Sequence, residues 1–200
     1  MKRLVVATHN AKKAGEMVTI LSRRFPLLEI LTLQDFPGAP EPEETGATYE
    51  ENAAIKVSSA VEHTGEWCVA DDAGLEIDAL PGELGVWSKR FAGEETPFDE
   101  KMKIILERMA SVPEEGRAAR FRCLVALGST GAEVELFEGR CEGRIALSPD
   151  GVGGFGYDPI FYLPELGRTM ASLSADEKHA ISHRGKVLKK LGDRLEELGF

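Results

Sequence analysis

The 200 residues hold little cysteine, little basic charge and no long apolar run. Only Cys68, Cys123 and Cys141 occur, an odd number with no C-x-x-C pair. That argues against a disulfide framework and predicts reduced core or strand residues in a cytoplasmic protein. Lysine and arginine total 24 against 34 aspartates and glutamates, so the formal net charge is -10. A chain so poor in cations is not expected to bind nucleic acid nonspecifically or an anionic membrane, since both need a cationic face. An anionic small substrate stays open, because a local basic pocket with a metal can still bind one. No apolar stretch approaches the roughly 20 residues of a membrane-spanning helix. The apolar part of the N-terminus, Leu4–Ala7, is too short for a signal peptide. With no repeat, low-complexity tract or clean linker, residues 1–200 read as a single domain.

The chemistry is expected around Val69–Asp78. Trp67-Cys68-Val69-Ala70 reads as a short buried strand. Two adjacent aspartates, Ala73 and Gly74 follow, then a second apolar alternation at Leu75, Ile77 and Ala79. The pattern predicts a strand, an acidic tight turn and another strand. Neighbouring strand residues point to opposite faces, so Asp71 and Asp72 should have different tasks. Carboxylates at strand ends suit Mg²⁺, a hard cation that prefers oxygen ligands. Aspartate and glycine are equally ordinary turn residues, so this segment alone leaves both readings open.

Leu4–Ala7 predicts a first buried strand, followed by Thr8-His9-Asn10-Ala11-Lys12-Lys13 and a helix with Met17, Ile20 and Leu21 on one face. Such a junction offers a hydroxyl, two ammonium groups and free main-chain N–H groups to a phosphate. An Asn10 N-cap with solvated lysines is the plainer reading. Leu28–Leu33 reads as a second strand, and residues 34–46 as an acidic, proline-stiffened loop. Thr48 with Glu51 forms a capping-box pattern at the head of a helix from about Tyr49 to His63. Asn52 and Lys56 share a polar face of it and read first as water-facing.

Residues 81–93 form a long loop carrying Trp87 and Phe91, either a lid or partner surface or a plug for the core edge. Phe98 to Met109 has the spacing of a packed helix. Arg120–Leu127 and Val134–Ile145 predict a long hairpin. Gly151–Pro159 contains a literal G-x-G-x-x-G, but Tyr157-Asp158-Pro159 follows where a dinucleotide site needs a helix. It reads instead as a glycine-rich loop whose Phe155 and Tyr157 can meet a flat base. Ser174 with Glu177 predicts a helix start near residue 175, with Lys178, His183 and Arg184 on or beside the C-terminal helical region.

Six motifs occur in order: T-x-N-x-x-K (Thr8–Lys13), E-E-T-G (Glu43–Gly46), E-N-A-x-x-K (Glu51–Lys56), D-D-x-G-L (Asp71–Leu75), G-G-F-G-Y-D-P (Gly153–Pro159) and S-H-R-G (Ser182–Gly185). In this the chain resembles the inosine triphosphate pyrophosphatase family, the noncanonical purine nucleoside triphosphate pyrophosphatases. The resemblance implies an elongated α/β fold: a mixed sheet flanked by helices, with two lobes and a central substrate cleft. It implies Mg²⁺-dependent hydrolysis of dITP, ITP and XTP to monophosphate and pyrophosphate by a cytoplasmic homodimer that cleanses the nucleotide pool. It further implies that Thr8, His9, Asn10, Ala11, Lys12 and Lys13 contact the triphosphate. Glu44 and Asp72 would be the metal-side acids, with Asp72 the general base. Phe155, Gly156, Tyr157, Asp158, Lys178, His183 and Arg184 would hold base and phosphates. Where many members carry Ser, this chain has Ala73, which keeps a main-chain contact and loses a hydroxyl. A pyrophosphatase for other pyrimidine or standard triphosphates, and a nucleotide-binding module without turnover, are the rival readings.

Overall fold

The computed structural model describes residues 2–200. Twelve regular elements follow one another among the described residues: β1 Arg3–Val6, α1 Ala11–Arg24, β2 Glu29–Thr32, α2 Tyr49–Thr64, β3 Trp67–Ile77 and α3 Phe98–Arg108 make up the first half. Then come β4 Ala118–Gly128, β5 Glu135–Ile145, β6 Phe161–Leu163, β7 Arg168–Thr169, α4 Ala175–Ile181 and α5 His183–Glu197. The strands form one mixed sheet in the order β2-β1-β3-β4-β5-β6-β7. The α/β class and mixed sheet are as expected.

The chain divides into two compact units, and β3, β4 and β5 each contribute to both. The first comprises residues 1–72, 123–139 and 184–200. Within it β1 pairs in parallel with β2 and with β3, Val6 lying opposite both Thr32 and Val69. Parallel neighbours need a crossover, which α1 and α2 supply. After the exposed Arg3, β1 is apolar and buried on both faces: Leu4, Val5 and Val6 have no exposure. Met17 and Leu21 of α1, Val57 of α2 and Leu188 and Leu191 of α5 are buried with them.

The second unit comprises residues 73–122 and 140–183. Its core gathers Leu75 and Ile77 of β3, Met102 and Ile105 of α3, and Phe121, Ile160 and Phe161. Here the pairing is antiparallel, β5 with β6 and β6 with β7.

One expectation needs correction, and one open alternative is decided. Residues 67–77 are a single unbroken strand, with no turn at Asp71–Gly74. Gly74 is there for proximity: a Cβ on it would lie 2.0 Å from the Gly85 carbonyl oxygen. Residues 81–93 are closer to a plug than a lid. Of their two aromatic rings, Phe91 is buried in the core and Trp87 is exposed, with the Arg90 guanidinium 5.2 Å from its ring.

Candidate active site

In the first unit the site begins where β1 ends. The Ala7 N–H donates to the Val69 carbonyl at 2.7 Å, so Thr8–Lys13 and the aspartates of β3 leave the paired strands at the same end. Asn10 caps α1, its Oδ1 accepting from the Lys12 and Lys13 N–H groups at 3.1 Å each. The Asn10 N–H donates to Thr8 Oγ1. The N-cap reading therefore holds, and the expected free N–H groups at Asn10, Lys12 and Lys13 are already satisfied within the turn. Attraction for an anion here falls to the helix dipole and the ammonium groups of Lys12 and Lys13. His9 is exposed, its Nε2 3.1 Å from the Pro40 carbonyl, and Ala11 is exposed at the first helical position.

The two aspartates face opposite ways, as the pleat demands. Asp71 Oδ2 accepts from Arg184 Nη2 at 2.9 Å and lies 3.4 Å from Lys13 Nζ, while Arg184 Nη1 donates to Glu16 at 2.6 Å. Asp72 faces α2: its Oδ1 accepts from Lys56 Nζ at 3.1 Å and its Oδ2 from Asn52 Nδ2 at 3.3 Å. Lys56 Nζ also donates to Glu44 at 3.0 Å. Asn52 and Lys56 thus do not face water. Asn52 is buried, and its own Oδ1 accepts from the Gly46 N–H at 2.8 Å, which ties the acidic loop to α2. Their spacing four apart put them on one face, but the sequence did not show which strand that face meets.

Three cations, Lys13, Lys56 and Arg184, meet four carboxylates, Glu16, Glu44, Asp71 and Asp72. The environment drives the aspartates apart. Burial pushes the Asp71 carboxyl up, but Lys13, Arg184 and Lys56 outweigh it and hold the group well below the usual carboxylate range. Burial also pushes Asp72 up, and here it prevails: Glu44 adds to it and Lys56 and Lys13 only partly oppose it. Two neighbouring carboxyls with opposed shifts suit a fixed anion and a proton acceptor.

In the second unit, Phe155–Asp158 and Lys178 come together. Asp158 Oδ2 accepts from the Phe155 N–H at 2.9 Å and from Lys178 Nζ at 2.7 Å. The Lys178 ammonium also stands 4.6 Å from the Phe155 ring. Gly154 adopts φ 71°, and a Cβ on it would lie 2.0 Å from Asp158 Oδ2, so only glycine lets the loop fold over Asp158; Gly156, at φ 68°, is left-handed too. Tyr157 is buried, its hydroxyl donating to the Ser88 carbonyl at 2.7 Å. No helix follows the glycines, only a 3-10 turn at Asp158–Ile160, which bears out the rejection of a dinucleotide motif. His183 is buried and stacks on Phe121 at 4.8 Å, and Ala73 lies half-buried in β3.

Carboxylate oxygens are the donors Mg²⁺ prefers, and Glu44 and Asp72 offer them side by side across one ammonium. Among the described residues no cluster of three or more metal-ligating side chains forms. Magnesium is usually bound through one or two carboxylates plus substrate phosphates and water. The residues present fit such an ion.

The family model described as Ham1 family matches residues 4–194. The chain is 48% identical over 195 residues to the dITP/XTP pyrophosphatase of Geobacter sulfurreducens, which covers 98% of this chain and 97% of that protein. It is 45% identical over 198 residues to the dITP/XTP pyrophosphatase of Geobacillus kaustophilus, covering 99% and 96%. Among solved structures, a HAM1 protein from Coxiella burnetii matches with TM-score 0.88 at 40% identity, covering 98% of this chain and 100% of that one. The match runs from β1 into α5 and takes in every side chain described above, in the motif order the sequence displayed: this chain belongs to the Ham1 family.

Proposed function

We propose that this chain hydrolyses noncanonical purine nucleoside triphosphates (dITP, ITP and XTP) to the monophosphate and pyrophosphate. Its relatives bear the name of that activity. The observation that carries the reading is the pair of opposed aspartates: Asp71 locked to Arg184 and Lys13, Asp72 meeting Glu44 on Lys56. A triphosphate needs positive charge for its oxygens and a base for the attacking water. Lys13 and Lys56 supply fixed positive potential in a half-buried setting. Asp72 takes the proton of a water attacking the α-phosphorus, with Asn52 holding its orientation. Glu44 and Asp72 would hold Mg²⁺, which when bound stabilises the charge that develops on the phosphate oxygens.

The purine is assigned to Phe155, Gly156, Asp158, Lys178 and His183, with Tyr157 buried behind them as the anchor of that loop, and the phosphates to Thr8–Lys13 with the main chain at Ala73. Arg184, engaged by two carboxylates, serves the fixed-anion side through Asp71. A 6-carbonyl accepts a hydrogen bond that the 6-amino group of adenine cannot, and leaving a buried donor unpaired costs about 1–3 kcal/mol; guanine shares that carbonyl, so its rejection rests on another contact. We propose further that residues 1–200 act as one catalytic domain, that two copies form a homodimer, and that the enzyme works in the cytoplasm. Three free cysteines suit a reducing compartment.

The deciding measurement is pyrophosphate release from ITP, XTP, dITP, ATP and GTP, with Mg²⁺ and after chelation. Rapid, Mg²⁺-dependent release from the first three and little from the last two is the expected result. Preference for standard or pyrimidine triphosphates would move the substrate class. Binding without turnover would leave a nucleotide-binding module, and full turnover after exhaustive chelation would remove the metal.

A further inference from the structure

We propose that Ser88 is a positioning residue for nucleobase recognition. Its carbonyl holds Tyr157, and through Tyr157 it sets the pose of the loop carrying Phe155 and Asp158. This rests on the reading above, in which that loop meets the base.

Ser88 is buried, at 5% exposure, against β3 just past the aspartates. Its Oγ accepts from the Leu75 N–H at 2.9 Å and has the Gly85 carbonyl, at 2.6 Å, to receive its proton. This contact requires Gly74 to lack a side chain, since a Cβ there would lie 2.8 Å from Ser88 Oγ. On the other side of Ser88, the neighbouring Lys89 carbonyl accepts from the ammonium of Lys101, itself buried in α3. The Ser88 carbonyl is thus fixed from both flanks: by its own hydroxyl on β3, and by its neighbour on α3.

That carbonyl receives the Tyr157 hydroxyl. Tyr157 is 4% exposed, and its ring meets Phe98 edge-on at 5.1 Å and 84°. A ring so enclosed has no face left for a base. Phe155, half-buried two residues earlier, retains that capacity. The loop ends are tied separately, Gly153 N–H to the Ala171 carbonyl and Asp150 N–H to the Pro159 carbonyl. Between these ties, Asp158 organises the loop on itself and on Lys178, while Tyr157 joins it to the Ser88 turn. Beside the Asp158–Lys178 ion pair, the Tyr157–Ser88 hydrogen bond is thus a neutral tie that bears on how Phe155 and Asp158 are presented.

The test uses the full chain and two variants, Tyr157→Phe and Ser88→Ala, with ITP as substrate and inorganic tripolyphosphate, which has no base, as competitor. Tyr157→Phe should raise KM for ITP about 5–10-fold, the weight of one hydrogen bond, with kcat falling less than about twofold. The inhibition constant of tripolyphosphate should stay within about twofold. Ser88→Ala should show the same split, and the double variant should be no worse than the more affected single one, because both act through one anchor. An unchanged KM in Tyr157→Phe overturns the proposal, since the ring alone would then suffice. Equal weakening of ITP and tripolyphosphate also overturns it, since that is general loosening. If the wild type binds ITP without releasing pyrophosphate, the hydrolase reading fails by itself, and the same comparison is made by calorimetric binding. Absence of ITP binding to the wild type overturns both. Should Ser88→Ala not fold, Tyr157→Phe decides alone.

Discussion

Asp71 and Asp72 are chemically identical and adjacent, and the strand pleat alone gives them different work. Asp72→Asn keeps the shape but cannot accept a proton, and its one amide oxygen can serve only one of the two donors, Asn52 and Lys56. It should lower kcat for ITP by about 10²–10⁴-fold with an unchanged far-ultraviolet circular dichroism spectrum. Retained turnover would take Asp72 out of the mechanism. Arg184 is a different case. It is buried at 2% exposure between Asp71 and Glu16, so Arg184→Ala removes a buried cation from two carboxylates. Breaking a buried pair from one side costs about 3–5 kcal/mol. A fall of that size in urea-unfolding stability is expected, alongside the loss of activity. A variant as stable as the wild type would show that the pair contributes no net stability.

The elements carry their own tests. β3 is unbroken because Gly74 lets the Gly85–Ser88 turn press onto it. A Cβ 2.0 Å from a carbonyl oxygen cannot be relieved by a rotamer change, so the backbone must move. Gly74→Ala should destabilise the protein by about 2 kcal/mol or more, visible as a lowered urea midpoint. At the start of α4 the capping box expected from Ser174 and Glu177 is present. The Ser174 N–H, Arg168 and the Ser174 hydroxyl together hold the Glu177 carboxyl down at about 2, from an ordinary 4.5. A depressed carboxylate stabilises the fold fully above its unfolded value and stops doing so as pH falls through about 2. Between pH 6 and pH 3 the wild type should therefore lose more stability than Glu177→Gln, by urea midpoints at both pH values. Parallel slopes would show that this cap does not couple to folding.

At the scale of the whole molecule the expected solution species is a homodimer. Light scattering on a sizing column should give twice the 21.8 kDa of one chain. A mass of one chain, unchanged over a hundredfold concentration range, would reject the dimer and leave the hydrolase reading untouched. The net charge of -10 bears at the same scale: the local cations at Lys13, Lys56 and Arg184 are all matched by carboxylates.

Much of this was legible in the chain. The apolar runs of β1 and the core of β3, the capping boxes of α2 and α4 and the N-cap at Asn10 are local, set by residues within four positions of one another, so periodicity and cap chemistry reveal them. The motif order identified the family for the same reason: each motif is a short contiguous string. Other features depend on residues far apart in sequence. Asn52 and Lys56 read as a solvated face until α2 is laid against β3, where Asp72 is 20 and 16 residues away. The pairing of Arg184 with Asp71, 113 residues away along the chain, is of the same kind. Gly74 read as a turn, because nothing local shows the Gly85 carbonyl above it. The sequence by itself determined which residue types carry the chemistry and which helices and strands present them. Only the tertiary structure decided which charges neutralise one another, because pairing energy depends on distance and burial, and neither is a property of a linear string.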